Sequence, residues 1–281
     1  MPTTAPTKAR LGLSARRNLW AWTFLAAPIL FYVSIRLYPT ADAIAMSFTN
    51  WNIVGKPTFV GLANYAKLFA DPLFWKVLHN TFLYLIVGLT ISMLLSFLIA
   101  YHLDKISFGH GVLRALYFVP HITTAVAMAW VWRWFYQPAP IGLFNDLLIA
   151  MGFPQQPFLN STEQALFAVL APAIWAGVGF QIVIFLAGLK AIPTVYYEAA
   201  AIDGAGPWRV LFEITIPMLR PAIVFLTVTS SIVYLRIFDY VYAMTRGSGG
   251  PLDSTKPLVL MIFDTAFKNF EMGYAAAQTV V

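Results

Sequence analysis

The sequence predicts an all-α membrane protein, a polytopic bundle of six transmembrane spans, from its composition and the length of its apolar runs. Of its 281 residues, 59% are hydrophobic and only 11% are charged, whereas globular chains average about 45–50% apolar and about 25% charged residues. The mean hydropathy is +0.71. Helices are the expected spanning elements, because an open sheet cannot satisfy its backbone hydrogen bonds in lipid. The composition therefore excludes a water-soluble globule.

Six stretches without Asp, Glu, Lys or Arg define the predicted spans. A bilayer core about 30 Å thick takes about 20 residues at a rise of 1.5 Å each. The stretches are residues 19–35, 77–103, 115–132, 164–189, 221–235 and 272–281. The first can extend to Tyr38 and the fifth to Ala243 if isolated charges are admitted. The sixth covers only about half of the hydrocarbon, so we expect the last span to be truncated at residue 281.

The distribution of basic residues predicts the orientation. Four basic residues and no acidic residue precede the first span, which we interpret as an uncleaved signal anchor. With the N-terminus inside, the inner segments carry nine Lys and Arg residues, and the longer outer segments carry six. These inner segments are residues 1–18, 102–114 and 190–220. An inner excess of Lys and Arg places the N-terminus in the cytoplasm. Residues 1–18 are then a cytoplasmic tail, and residues 19–281 form the transmembrane domain.

The inner segment before the fifth span has the pattern of two short helices. Thr194 is expected to cap a helix over residues 195–202, because its hydroxyl can accept a hydrogen bond from an unpaired backbone N–H. Asp203-Gly204 ends that helix, because glycine adopts the left-handed C-cap conformation without steric cost. Pro207 begins a second helix, which is expected to close at Pro217.

The first of these helices is suited to docking on another protein. Tyr197 and Glu198 precede Ala199, Ala200 and Ala201. The small side chains permit close approach, and the carboxylate offers charge, so the helix can lie in a groove of a partner. The alternative is an ordinary loop helix, in which alanine merely favours helicity.

These residues resemble the EAA motif of binding-protein-dependent ABC importer permeases. The motif here reads Glu198-Ala199-Ala200, then Gly204, then Ile214-Thr215-Ile216-Pro217, with isoleucine at 216 where the family usually has leucine. Four other segments resemble the first permease of maltose-type and glycerol-3-phosphate-type carbohydrate-uptake systems. They are Tyr38-Pro39, residues 47–51, residues 59–65 and Asn80-Thr81. The resemblance covers most of the chain from about residue 20 and implies the fold of a type I ABC importer permease.

The resemblance also implies a role and a set of partners. The helix before Gly204 would be a coupling helix seated in a cleft of an ATPase subunit. The coupling residues would be Tyr197, Glu198, Ala199, Ala200, Asp203, Gly204 and Pro217, within a coupling loop of residues 190–220. ATP binding would turn a permease pair from inward-facing to outward-facing. The implied partners are a second permease, two ATP-binding cassette ATPases, an extracytoplasmic solute-binding protein, membrane lipid and a carbohydrate.

Several kinds of chemistry are missing from the sequence. It has no cysteine, which excludes disulfides, thiolate zinc sites and cysteine nucleophiles. No P-loop pattern is present, so ATP and Mg would belong to the partner subunits and the chain itself would hold no cofactor. The histidines lack metal-ligand spacing and form no recognisable triad; they are His79, His102, His110 and His121. We expect no enzyme activity, and no nucleic-acid partner, because the basic residues lie between apolar runs.

Polar and aromatic residues at mid-depth of the fourth and fifth spans are candidates for lining a solute site. Gly177, Phe180 and Gln181 share one helical face by their spacing. Ser230 and Tyr234 lie one turn apart on the fifth span. An aromatic ring with hydroxyl and amide groups suits a sugar, and the resemblance implies sugar-lining positions in the same two spans. The alternative is close helix packing by the glycine and back-bonding by the serine.

Charged residues near the span ends leave further alternatives open. Arg236 and Asp239 have the spacing of an ion pair, which predicts a structural clasp; a gate or a solute contact is the alternative. Arg133 is expected to snorkel to the surface. Because arginines lie only near span ends, the sequence favours a neutral carbohydrate over a phosphate ester. Two other functions stay open: an ABC importer permease for a non-sugar solute, and a channel or scaffold membrane subunit without an ATPase.

Overall fold

The computed structural model describes residues 13–106 and 110–281, and these are mostly helical. The helices are α1 (Leu13–Tyr32), α2 (Tyr38–Met46), α3 (Ala63–Ala70), α4 (Pro72–Leu103), α5 (His110–Ile122), α6 (Ala125–Phe135), α7 (Leu143–Ala150), α8 (Ala165–Lys190), α9 (Thr194–Ile202), α10 (Pro207–Val210), α11 (Ile216–Met218), α12 (Arg220–Leu235), α13 (Asp239–Thr245), α14 (Leu258–Phe263) and α15 (Met272–Val280). Wider, π-helical turns occupy Val33–Leu37, Leu211–Thr215 and Asp264–Lys268. Two short strands, β1 (Thr49–Asn50) and β2 (Thr58–Phe59), pair antiparallel.

The chain divides into two compact units. Among the described residues, 13–68 and 265–281 form the terminal unit, and 69–106 and 110–264 form the central unit. Of the predicted tail at residues 1–18, residues 1–12 lie outside the described part, and residues 13–18 belong to α1.

The central unit is built on α4, α8 and α12. Helix α8 packs along α4, α12 packs against both of these helices, and α5 packs against α8. Tyr84, Phe185 and Leu226 are fully buried among them. In a membrane such contacts stabilise the unit through van der Waals packing, because lipid tails are as apolar as these side chains.

Four of the predicted spans are long apolar helices. Their bounds are Arg16–Met46, Pro72–Leu103, Ala165–Lys190 and Arg220–Thr245, corresponding to the first, second, fourth and fifth runs. The third run is not one straight helix, since α5 and α6 meet at an angle of 105°. The break lies at Thr124, whose backbone is extended and whose hydroxyl accepts from the N–H of Ala127 at 3.4 Å. The last run forms α15, which has only nine residues, so the count of six spans stays a prediction.

In the terminal unit, α15 packs on α2 and β1. The Asn64 side chain donates to the carbonyls of Ser47 at 2.8 Å and Thr49 at 2.9 Å, which fixes the turn after α2. The N–H of Gly273 donates to the Trp51 carbonyl at 3.1 Å. A Cβ at position 273 would lie 1.9 Å from the Thr49 carbonyl oxygen, so only glycine allows this backbone approach.

Candidate functional site

The five residues that the sequence predicted to line a solute site face one cavity in the central unit. Helix α8 supplies Gly177, Phe180 and Gln181, and α12 supplies Ser230 and Tyr234. The cavity has a volume of about 400 Å³, within the range of about 300–1,000 Å³ that is usual for small-molecule pockets. We call it the central cavity.

The Gln181 amide lies in a buried hydrogen-bond network at the wall of this cavity. Its Nε2 donates to Ser92 Oγ at 3.1 Å and to Ser230 Oγ at 3.0 Å, and its Oε1 accepts from Ser96 Oγ at 2.8 Å. The network joins α4, α8 and α12. Sequence reasoning missed the two serines of α4, because nothing in the local pattern shows which face of α4 meets α8.

The position of Tyr234 depends on Gly88. A Cβ at Gly88 of α4 would lie 2.5 Å from Tyr234 Cε1, so the ring lies against bare backbone. A Cβ at Gly177 would lie 3.7 Å from the Tyr234 hydroxyl. The ring is therefore held between α4 and α8, and its exposed fraction is only 3%.

His121 belongs to the central cavity but was not predicted there. Its ring stacks on Phe180 with the centroids 5.5 Å apart and the planes at 20°. Its Nδ1 lies 3.2 Å from the Ala176 carbonyl oxygen. The break between α5 and α6 brings this segment to the cavity. The sequence did not indicate that His121 lies at the cavity, because the third apolar run has the pattern of one continuous span.

The predicted clasp between Arg236 and Asp239 is wrong. Helix α12 ends at Leu235 and α13 begins at Asp239, so the two residues do not have helical spacing. Within the part of the chain that the structure describes, they form no ion pair with each other. Both line the central cavity, beside Tyr240. The cavity thus carries a cation and an anion on its wall.

Helix α9 follows the sequence expectation at its end but not at its start. Thr194 is the first helical residue rather than the cap; the capping position belongs to Pro193, whose extended backbone (ψ 134°) leads into the helix without a side-chain hydrogen bond. At the other end Asp203 is the C-cap and Gly204 has a φ of +67°. The predicted stop is therefore confirmed.

Two faces of α9 differ in burial. Ala200 is buried, and the half-buried Tyr197 places its hydroxyl 3.3 Å from Thr215 Oγ1. Glu198 and Ala199 are exposed on the other face, as are Asp203 and Gly204 just beyond the helix. The candidate coupling residues of this segment thus form two groups. Tyr197 and Ala200 pack against the rest of the chain, and Glu198, Ala199, Asp203 and Gly204 form an exposed surface, which we call the free face of α9.

The segment after α9 also exposes apolar surface. Helix α10 begins at Pro207 as expected, and α11 ends one residue past the exposed Pro217. The side chain of Ile202 is 87% exposed and that of Trp208 is 72% exposed. Trp208 stacks on the exposed Phe212 with the ring centroids 6.1 Å apart. Large apolar side chains that are this exposed are available for contact with another protein or with lipid.

Residues 19–281 match the family of binding-protein-dependent transport system inner membrane components. The chain belongs to this family. The permease is therefore a multi-pass protein of the inner membrane and a transport component rather than an enzyme. Membership implies an ATPase and a solute-binding protein as partners.

Individual relatives cover nearly the whole permease. It is 33% identical over 267 residues to the probable ABC transporter permease protein YesP of Bacillus subtilis (strain 168), covering 94% of this chain and 85% of that protein. It is 32% identical over 278 residues to the lactose transport system permease protein LacF of Rhizobium radiobacter, covering 98% and 92%. Its fold matches a bacterial ABC transporter involved in the import of the acidic polysaccharide alginate with a TM-score of 0.80, at 22% identity and with 94% and 90% covered.

The described residues of the permease offer no evident metal centre. In residues 13–106 and 110–281, no group of three His, Asp or Glu side chains is placed to hold a metal ion. The central cavity is lined by aromatic rings, hydroxyl groups, the Gln181 amide and two side chains of opposite charge. Such groups bind and position a polar solute.

Proposed function

We propose that the permease forms half of the translocation pathway of an ATP-driven, binding-protein-dependent carbohydrate importer, with its N-terminus in the cytoplasm. The observation that carries this proposal is the central cavity, where Phe180, Gln181, Ser230 and Tyr234 of two different helices converge. The 32% identity to a lactose transport permease supports a carbohydrate as the solute.

The groups of the central cavity suit the two kinds of surface that a sugar presents. The Phe180 ring, backed by His121, offers a flat apolar face to the C–H side of a pyranose. The Ser230 hydroxyl, Arg236 and Asp239 offer hydrogen-bond partners to sugar hydroxyls. We therefore assign Arg236 and Asp239 to solute contact, which the sequence had left open as an alternative to a structural clasp.

The free face of α9 is the proposed contact with the ATPase. Glu198, Ala199 and Asp203 are exposed there, and Ile202 adds apolar surface at the end of the helix. A short helix with small side chains fits a groove on a partner. Movement of the ATPases would then pass through α9 to the central unit as a rigid-body change. The full complex would hold a second permease, two ATPases and an external solute-binding protein.

Crosslinking from α9 tests the coupling. The chain has no cysteine, so Ala199→Cys introduces a single reactive site on the exposed face of α9. We expect a photocrosslinker attached to this thiol, after illumination, to join it to an ATPase subunit in native membranes. Gly55→Cys, in the predicted outer segment, is the control and should give no such product. Absence of an ATPase product from Ala199→Cys, with and without ATP, would refute the coupling.

Uptake by a cavity variant tests the solute site. Tyr234→Ala removes a ring of the central cavity, and we expect uptake to fall by about tenfold, corresponding to roughly 1.4 kcal/mol of lost interaction. Ile232→Ala is the matched control, because Ile232 lies on the same helix, is exposed and does not line the cavity. Radiolabelled sugar uptake measures both, and the crosslink from α9 should survive in both. Normal uptake by Tyr234→Ala would remove Tyr234 from the solute site.

A further inference from the structure

A second cavity of the central unit has a volume of about 430 Å³. It lies between the end of α6, the segment that follows it and the segment that follows α13. The polar residues that line it include Arg133, Tyr136, Gln137, Asn160, Arg246 and Ser248. None of these lines the central cavity. We call it the arginine cavity.

The charge of the arginine cavity is uncompensated. Arg133 and Arg246 both line it, and no acidic residue does. Neither arginine forms an ion pair within residues 13–106 and 110–281. The Nη1 of Arg133 is buried and has no hydrogen-bond partner among the residues that the structure describes. The same side chain lies over the Trp130 ring, with its guanidinium carbon 5.1 Å from the ring centroid. A buried donor of a cation without a partner costs free energy. An anion in this cavity would remove that cost.

The wall that carries Arg246 is fixed in place. The residue caps α13 in the left-handed conformation, with φ 56° and ψ 36°. The loop beyond it is tied to α4, because Asn80 Nδ2 donates to the carbonyls of Asp253 at 3.0 Å and Lys256 at 3.1 Å. The Tyr84 hydroxyl donates to the Thr255 carbonyl at 3.0 Å. Rigid support of this kind preorganises a binding site.

An ion-pair cluster stabilises the same loop. The ammonium of Lys256 lies 2.8 Å from Asp264 Oδ2 and 3.3 Å from Asp253 Oδ1. Burial disfavours its charge, but the hydrogen bond to Asp264 and the two carboxylates outweigh burial and raise the pKa of Lys256. Asp253 and Asp264 are therefore paired with Lys256, and neither forms an ion pair with Arg133 or Arg246.

We propose that the arginine cavity binds the carboxylate-bearing unit of an acidic saccharide, a uronic acid. Guanidinium groups bind carboxylates through paired hydrogen bonds, and the amides of Gln137 and Asn160 line the same space for sugar hydroxyls. The volume accommodates a sugar ring as well as its carboxylate. This inference rests on the proposed function, and it identifies the solute of the proposed importer as an acidic saccharide.

The arginine cavity lies next to the central cavity along α13. Asp239 and Tyr240, at the start of that helix, line the central cavity, and Met244 and Thr245, at its end, line the arginine cavity. A solute held by Arg246 would therefore be less than three helical turns from the central cavity. The sequence favoured a neutral sugar because both arginines lie near span ends, but the fold brings those ends together.

A binding experiment on the full-length chain, purified in lipid nanodiscs with its partner subunits, tests this proposal. The probes are D-glucuronate, its uncharged methyl ester and acetate, and the signal is quenching of tryptophan fluorescence, since Trp130 contacts Arg133. We expect saturable quenching by glucuronate, with at least about tenfold weaker binding of the ester and of acetate. Arg246→Gln should weaken glucuronate binding by about tenfold or more, and Arg246→Lys by less. Arg36→Gln, which removes an exposed arginine that does not line the arginine cavity, should leave glucuronate binding unchanged.

Three outcomes would overturn the proposal. Equal binding of glucuronate and its ester would show that charge is not recognised. Equal binding of acetate would show a site for a bare carboxylate, such as a protein side chain, rather than for a saccharide. Unchanged glucuronate affinity in Arg246→Gln would place binding elsewhere. The comparison of probes uses the unaltered chain and needs neither ATP nor transport, so its failure is distinguishable from failure of the crosslinking and uptake tests above.

Discussion

The ring of Tyr234 lies so close to the backbone of Gly88 that no side chain fits between them. The same part of the central unit holds the Gln181 amide among three serine hydroxyls. At the residue scale, the central cavity thus depends on α4, although no described residue of α4 lines it. Helix α4 contacts α8 and α12, the two helices that supply the predicted residues. Changes on α4 should alter the cavity without removing any of its lining groups.

Gly88→Ala should destabilise the permease and weaken solute uptake. The added Cβ would lie 2.5 Å from Tyr234 Cε1, and overpacking of this kind costs about 1–3 kcal/mol. Thermal melting in detergent and sugar uptake measure the two effects. Gly55→Ala is the control, because its nearest contact would be Asn52 Oδ1 at 3.4 Å. Identical melting of both variants would contradict this account of Tyr234.

Gln181→Leu should cost more stability than Ser230→Ala. The leucine removes three hydrogen bonds, and the alanine removes one. Side-chain hydrogen bonds in membrane proteins average about 0.6 kcal/mol, so we expect losses of about 2 and about 0.6 kcal/mol. Reversible unfolding in mixed micelles measures both, and equal losses would disprove the network.

At the element scale, short segments join the longer helices through specific backbone geometry. Helix α9 ends because Gly204 adopts a φ of +67°. Helix α15 packs on β1 because Gly273 has no Cβ to meet the Thr49 carbonyl. Each junction depends on one glycine, for a different reason: a left-handed backbone in the first case and close approach in the second.

Glu198→Lys and Gly204→Asp should uncouple ATP hydrolysis from uptake and leave the permease in the membrane. The first reverses the exposed charge of α9, and the second puts a side chain into a left-handed conformation that costs roughly 1–2 kcal/mol. Gly206→Ala is the control, since its Cβ would meet nothing within 4 Å. ATPase activity and uptake are measured in the same vesicles. Normal uptake by both variants would remove the coupling assignment.

Gly273→Ala should destabilise the terminal unit far more than Lys67→Met. The alanine Cβ would lie 1.9 Å from the Thr49 carbonyl oxygen, so the backbone must shift. The ion pair of Lys67 with Glu271 is short, at 2.6 Å, but both side chains are about half exposed, and such pairs contribute about 0–1 kcal/mol. Limited proteolysis of the membrane-embedded protein compares them. Equal sensitivity would argue against close packing of α15.

At the scale of the whole molecule, the charge distribution predicts how the chain sits in the membrane. The helical stretch Arg16–Met46 has no buried residue in its most apolar window, so its surface is available to lipid or to another subunit. The inner excess of Lys and Arg predicts that its N-terminal end lies in the cytoplasm. The same orientation predicts that the free face of α9 is cytoplasmic, as our proposal of docking on an ATPase requires.

Cysteine labelling tests this orientation. In intact spheroplasts, an impermeant maleimide should label Gly55→Cys, and it should label Ala199→Cys only after permeabilisation. Both positions are exposed, so a difference in labelling reports the side of the membrane. The reverse pattern would place the N-terminus outside.

The amino-acid sequence by itself determined the membrane class, the four long apolar helices, the end of α9 at Gly204 and the five residues that meet in the central cavity. Each of these depends on composition, hydrophobic run length or helical spacing, which are local properties. The motif residues between Glu198 and Pro217 indicated the family for the same reason, because they lie within one short segment of the chain.

Only the tertiary structure decided the break at Thr124 that brings His121 to the cavity, the separation of Arg236 from Asp239, the serines around Gln181 and the meeting of Arg133 with Arg246. These features depend on which faces of distant helices pack together and where a helix bends. In an apolar span every face is apolar, so hydrophobic periodicity does not distinguish the side that meets lipid from the side that meets a neighbouring helix.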